Sequence, residues 1–271
     1  MNMSTMGWFR EYLIAKSAGA VWNPAEDFAI RVCMTFPEAE NLKKYVIDCA
    51  DAYIDQGECT PEKGKTLFFA LETTGEEKYR ETIRQVMAEL NAAPVETATL
   101  EKLYAELPFR MAYEMKLNGM EKVGQVAAAF RSAHAKLWDA REKLHRAAEG
   151  EGFSLRSEAW FLMALADSVA LCADQLYEHW RAMVDIYRET LSGVLHRMNA
   201  KGMLTADPTD AESAPDAAAT AIVLYALLQG VRQGLIDPER YLPVACKGMA
   251  ALRLNGETRA AEMMEEVFGV R

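Results

Sequence analysis

The residues best suited to chemistry lie in the stretch 152–167, where Arg156 and Trp160 stand four apart at the opening of a strongly apolar segment. On a helix, positions i and i+4 share one face. That face would carry a cation, a fixed fork of N–H donors and a flat ring, a set that suits a sugar acid or another planar anionic ligand. The same spacing also describes a capped helix start with a half-buried tryptophan, since Trp is usually largely buried. Other chemistries find no pattern. Ser154, Ser157 and Ser168 lack the G-x-S-x-G context of an activated nucleophile, and the glycines form neither a P-loop nor a dinucleotide fingerprint. His134, His145, His179 and His196 show no ligand spacing with the cysteines, so neither a metal nor a cofactor is expected. His134 and Asp139 are five apart, a poor helical pair, which argues against a His–Asp relay.

The elements that must hold these residues are helices. The chain has 271 residues and is 51% hydrophobic, enough for one large core, and we expect a single domain over 1–271. Apolar residues recur at helical spacing from end to end, and strand patterns are nearly absent. Asn23-Pro24 and Thr60-Pro61 read as helix starts, and Gly57, Gly75 and Asn118-Gly119 as stops. Leu42, Tyr45, Val46, Cys49, Tyr53 and Ile54 form one stripe; Tyr79, Ile83, Val86, Met87 and Leu90 form another. Further helices are expected over 99–118, 121–146, 157–174, 176–198, 216–234 and 238–254, with loops at 91–98 and 200–215. Roughly a dozen helices joined by short turns, with no internal repeat, favour a closed double ring of helices, an all-α (α/α)6 barrel, over a solenoid.

Composition narrows the partners. The net charge is −10 and the basic residues are scattered, which argues against nucleic acid. No apolar run approaches the ~20 residues of a membrane span, and the N-terminus lacks the pattern of a secretory signal. Cys33, Cys49, Cys59, Cys172 and Cys246 are odd in number and form no CxxC pair; they read as reduced core residues of a cytoplasmic protein.

Several segments, in order, resemble the unsaturated glucuronyl and rhamnogalacturonyl hydrolases, glycoside hydrolase families 88 and 105. Residues 61–79, ending in Thr74-Gly75-Glu76-Glu77-Lys78-Tyr79, resemble an early helix and its "TGDEKY" turn. Leu100-Glu101-Lys102-Leu103-Tyr104 through Pro108-Phe109 resembles "WLDGLYMAQPF", and Trp138-Asp139 resembles "AWD". Arg156 through Leu165 resembles "RGNGWxLMAL", and 216–236 resembles "ESSASAMFAYALAKGVRLGLL", most closely in Tyr225-Ala226-Leu227 and 230–235. The resemblance implies an (α/α)6 barrel with a ligand funnel at one rim. It also implies hydration of the 4,5 double bond of an unsaturated uronic acid at the end of a small acidic oligosaccharide. One carboxyl group protonates the enol-ether carbon and activates water for its neighbour, and the resulting hemiketal collapses, releasing the sugar; no covalent glycosyl intermediate is needed, unlike the two-carboxylate schemes.

The resemblance places that carboxyl on Glu101, one methylene longer than the family's aspartate. It makes Arg156 the carboxylate or hydroxyl contact and Trp160 and Trp138 the stacking surfaces, and it puts Asp216 where the family has a glutamate. Glu106, near Pro108, is a second carboxylate that could approach the funnel. Against this, Thr99 replaces a tryptophan, Lys136 falls near a family histidine, Ala217, Ala218 and Thr220 replace serines, and "RTxxGGFWHK" has no counterpart. Local roles compete as well: Glu101 suits the positive start of its own helix, worth ~0.3–1 kcal/mol. Arg156 could pair with Glu158 or Glu151. Two readings therefore stand side by side, an enzyme with altered chemistry and a catalytically degenerate toroid that binds a sugar or a protein.

Overall fold

The computed structural model describes residues 40–92, 99–172, 176–210 and 212–256, with short pieces at 261–262, 264–265 and 268–269. The predicted start at Asn23-Pro24, Cys33 and most of the loop at 91–98 lie outside the described residues. The order is α1 (Glu40–Asp55), a 3-10 turn (Pro61–Lys63) leading into α2 (Gly64–Thr74), α3 (Glu77–Ala92), α4 (Leu100–Lys116) and α5 (Val123–Leu137). Strands β1 (Trp138–Asp139) and β2 (Leu144–His145) follow, then α6 (Leu155–Leu171), α7 (Tyr177–Leu195), α8 (Ala217–Arg232) and α9 (Pro238–Leu254).

Sequence chemistry explains most boundaries. Gly75 ends α2 in the left-handed conformation that glycine adopts without steric cost. Ser154, Asp216 and Asp237 each place a side-chain oxygen on an otherwise orphaned N–H of α6, α8 and α9. One predicted helix is corrected: 121–146 ends at Leu137 and turns into an antiparallel hairpin, Trp138 opposite His145 and Asp139 opposite Leu144. Asp139 is the cause. Its Oδ1 accepts the backbone N–H groups of Arg141 and Glu142 at 3.0 and 3.2 Å, a local turn that outcompetes helical periodicity.

The helices form two layers. α2, α4, α6 and α8 lie inside; α1, α3, α5, α7 and α9 back them. In α6 every residue from Ser157 to Val169 is buried, and in α8 every residue from Ala219 to Gly230. Burial all round marks an enclosed helix rather than a surface one. α4, α6 and α8 run in the same direction, because their first turns meet at one rim through Glu101–Ser157 and Arg156–Asp216. Farther along, Asp167 of α6 meets Tyr225 of α8. Close approach fixes the outer layer: a Cβ on Gly193 of α7 would lie 1.9 Å from the Lys143 carbonyl, so only glycine lets the hairpin rest there.

Candidate active site

Three helix starts build the rim. Thr99 caps α4 by accepting the Lys102 N–H at 3.1 Å, which sets Glu101 in the first turn. Ser154 caps α6 by accepting the Ser157 N–H at 3.2 Å. The Ser157 hydroxyl donates to Glu101 Oε1 at 3.3 Å and stands 3.1 Å from Ser154 Oγ, so the Ser154 hydroxyl can donate to it. Asp216 caps α8 through the Ala219 N–H at 3.0 Å. The same carboxylate takes Arg156 Nε at 3.0 Å and Nη2 at 2.9 Å. The partner of Arg156 is therefore Asp216, not Glu151 or Glu158. That bidentate grip pushes the guanidinium pKa up and leaves three of its N–H groups facing elsewhere. The arginine side chain is 56% exposed while Asp216 is 9% exposed, an anchored cation presented to solvent.

The other predicted residues divide. Trp160 is only 9% exposed, its ring packed on Tyr104 with centroids 4.4 Å apart. It braces the first turns of α4 and α6 instead of offering an open platform. Trp138 is partly exposed and lies against His134 and His145, at 5.2 and 4.9 Å. Glu106 pairs with Lys102 and Arg110, and Arg110 donates to Asn91 and the Leu90 carbonyl at the end of α3. Glu106 thus shares Arg110 with the end of α3.

Two polar networks escaped the sequence reading. Behind the rim, Glu158 is fully buried; its Oε2 accepts the His145 backbone N–H at 3.1 Å and its Oε1 is 2.9 Å from His145 Nδ1. His145 Nε2 is 3.0 Å from His134 Nδ1, and His134 Nε2 is 3.4 Å from Glu189. Burial pushes the Glu158 carboxyl up. Burial, then the charge of His145, pushes His134 down. One proton assignment satisfies every contact: Glu158 and His145 share a proton, and neutral His134 accepts from His145 and donates to Glu189. Positions 134, 145 and 158 meet only because the hairpin folds back, so no spacing rule could pair them.

The second network is inside the barrel. Asp167 accepts the Tyr225 hydroxyl at 3.0 Å and forms an ion pair with Lys65, and Gln229 Nε2 donates to Tyr225 Oη at 2.7 Å. These groups line a cavity of about 220 Å³ between α2, α4, α6 and α8. None of the six predicted site residues lines it; Tyr104, which does, touches the rim through Trp160. Rim and cavity are therefore neighbouring but separate.

Among the described residues no group of three or more His, Cys, Asp or Glu could hold a metal ion, and no helix is long and apolar enough to cross a membrane. Cys59, Cys172 and Cys246 are free thiols.

Known structures share this architecture. A family 105 glycoside hydrolase from C. acetobutylicum superposes with a TM-score of 0.76 at 17% identity, covering 90% of this chain and 81% of its own. A protein described as a polysaccharide lyase gives 0.77 at 15% identity, covering 99% and 96%. The unsaturated glucuronyl hydrolase of Bacillus sp. GL1, described as responsible for the degradation of glycosaminoglycan, gives 0.59 at 14%, covering 89% and 85%. At such identities the likeness is one of fold, the (α/α)6 barrel. No curated protein matches the sequence. The model of Glycosyl Hydrolase Family 88 matches residues 34–268, and with nearly the whole chain inside that match, this protein belongs to glycosyl hydrolase family 88.

Proposed function

We propose that this glycoside hydrolase acts on small oligosaccharides ending in an unsaturated uronic acid, by hydration of the 4,5 double bond at the rim. The observation that carries the reading is the convergence of Glu101, Ser157, Arg156 and Asp216 on the first turns of three parallel inner helices. Arg156, held by Asp216, offers its remaining N–H groups to the substrate carboxylate. Glu101 donates a proton to C4 and then takes one from the water that adds at C5; the hemiketal opens and the neutral sugar leaves. Ser157 keeps the Glu101 carboxyl in place between these steps. Helix starts carry a partial positive charge, so three of them together favour the acidic substrate despite a net charge of −10.

Lyase-generated unsaturated disaccharides provide the test. Wild-type protein should remove the ultraviolet absorbance of the conjugated double bond for at least one member of a panel. In deuterium oxide the product should gain one deuterium at C4. Well-folded protein that leaves every disaccharide intact would support the degenerate barrel instead.

A further inference from the structure

We propose that the cavity inside the barrel binds one neutral pyranose ring, at a site distinct from the rim and independent of the chemistry assigned there. Its size suits such a ligand. A cavity of about 150 Å³ accepts a benzene ring, and this one is about 220 Å³, room for a six-membered ring with its substituents. Its walls suit one as well, because four aromatic residues, Phe68, Phe69, Tyr104 and Phe109, line the cavity. Such surfaces pack against the C–H faces of a sugar ring.

The polar floor specifies what the ligand must bring. Tyr225 has a single hydroxyl proton and gives it to Asp167, which is 4% exposed. The Tyr225 oxygen must then accept from Gln229, and this fixes the orientation of the amide. Gln229 Oε1 is left as an acceptor, in a residue 7% exposed, with no hydrogen-bond partner. A buried acceptor without a partner is costly, and a ligand O–H removes that cost. Charge excludes an acid. Among the described lining residues the cations Lys65, Lys116 and Arg232 equal the anions Glu62, Glu72 and Asp167 in number, and Lys65–Asp167 and Lys116–Glu72 are paired. The described lining thus carries no net charge with which to attract a carboxylate, whereas the rim presents Arg156 to solvent.

Titration calorimetry of the full chain with glucose, galactose, mannose, xylose and rhamnose, and with glucuronate as the charged control, tests this. At least one neutral sugar should bind, and glucuronate at least about tenfold more weakly. Gln229→Leu, which removes the acceptor at nearly constant volume, should weaken that binding about tenfold, the loss of one ordinary hydrogen bond. Ala170→Trp, at an exposed position on the cavity lining, should block it without disturbing the core. Arg156→Ala at the rim should leave it within about twofold. No binding of any neutral sugar to the wild type would overturn the proposal. So would binding that survives both cavity variants, or that is lost only in Arg156→Ala; the last would place the sugar at the rim.

Discussion

The rim and the interior of the barrel each join two inner helices by an ion pair, and the two pairs behave as opposites. Arg156–Asp216 ties helix starts together, with the arginine in solvent and the aspartate doubling as a helix cap. Lys65–Asp167 sits within the wall, where the same carboxylate also holds Tyr225. The rim groups depend on local caps, so each can change while the fold persists. The interior groups belong to the packing, where a lost partner leaves another buried polar group stranded. Thr99, Glu101 and Asp216, where the resemblance implies departures from the family pattern, lie at these rim helix starts.

Removing the interior carboxylate should have the largest effect on stability. Asp167→Ala removes an acceptor of the Tyr225 hydroxyl and an ion-pair partner of Lys65, and should cost about 3 kcal/mol in urea unfolding. A loss below about 1 kcal/mol would erase the contrast between the two regions. Gly230→Ala should come next: its Cβ would lie 2.0 Å from Tyr187 Oη, which donates to the Ala226 carbonyl, so we expect a loss of about 1–3 kcal/mol. Arg156→Ala should change stability by no more than about 1 kcal/mol, as an exposed pair does, while abolishing turnover of an unsaturated uronate.

The histidine network behind the rim sharpens the comparison through pH. His134 titrates below its ordinary value of 6.5, so its contribution is present above that value and is lost as pH falls towards the lowered one. Glu158 titrates above its ordinary 4.5, so its contribution is present below that value and is lost as pH rises through the raised one. His134→Asn should therefore flatten the decline in stability on acidification below the ordinary histidine range. Glu158→Gln should flatten the opposing slope on the alkaline side of the ordinary carboxylate range. Urea unfolding across pH 4.5 to 7.5, between about the ordinary carboxylate value and one unit above that of histidine, reads both. The smallest effect is expected of Glu106→Gln, at a position that shares Arg110 with the end of α3: turnover unchanged and stability within about 0.5 kcal/mol.

Much of the helical frame is legible from local signals. Thr60-Pro61 opens the 3-10 turn before α2, Gly75 ends α2, and Gly119 follows the end of α4 with positive φ. These features act over a few residues, and a sequence displays them directly. The hairpin at Trp138 is not legible, because a single side chain, Asp139, overrides a helical pattern that runs through it. Site contacts are legible only in part. Arg156 stands out by its spacing to Trp160, but its partner lies 60 residues away, on the cap of another helix. Trp160 stands four residues from Arg156 on α6, yet its ring packs on Tyr104, a choice that no spacing encodes. Gln229 and Asp167 carry no local signal at all; only the parallel course of α6 and α8 brings them together.

The central claim is that the rim, through Glu101, performs the chemistry. Its most direct test is turnover of an unsaturated uronyl disaccharide by wild-type protein and by Glu101→Gln, with the fold of each verified by unfolding. The account predicts a loss of at least about 100-fold in kcat for the variant, the scale of removing a general acid and base, with stability within about 1 kcal/mol of wild type. Equal turnover by the two proteins would contradict it and move the reacting group away from the rim.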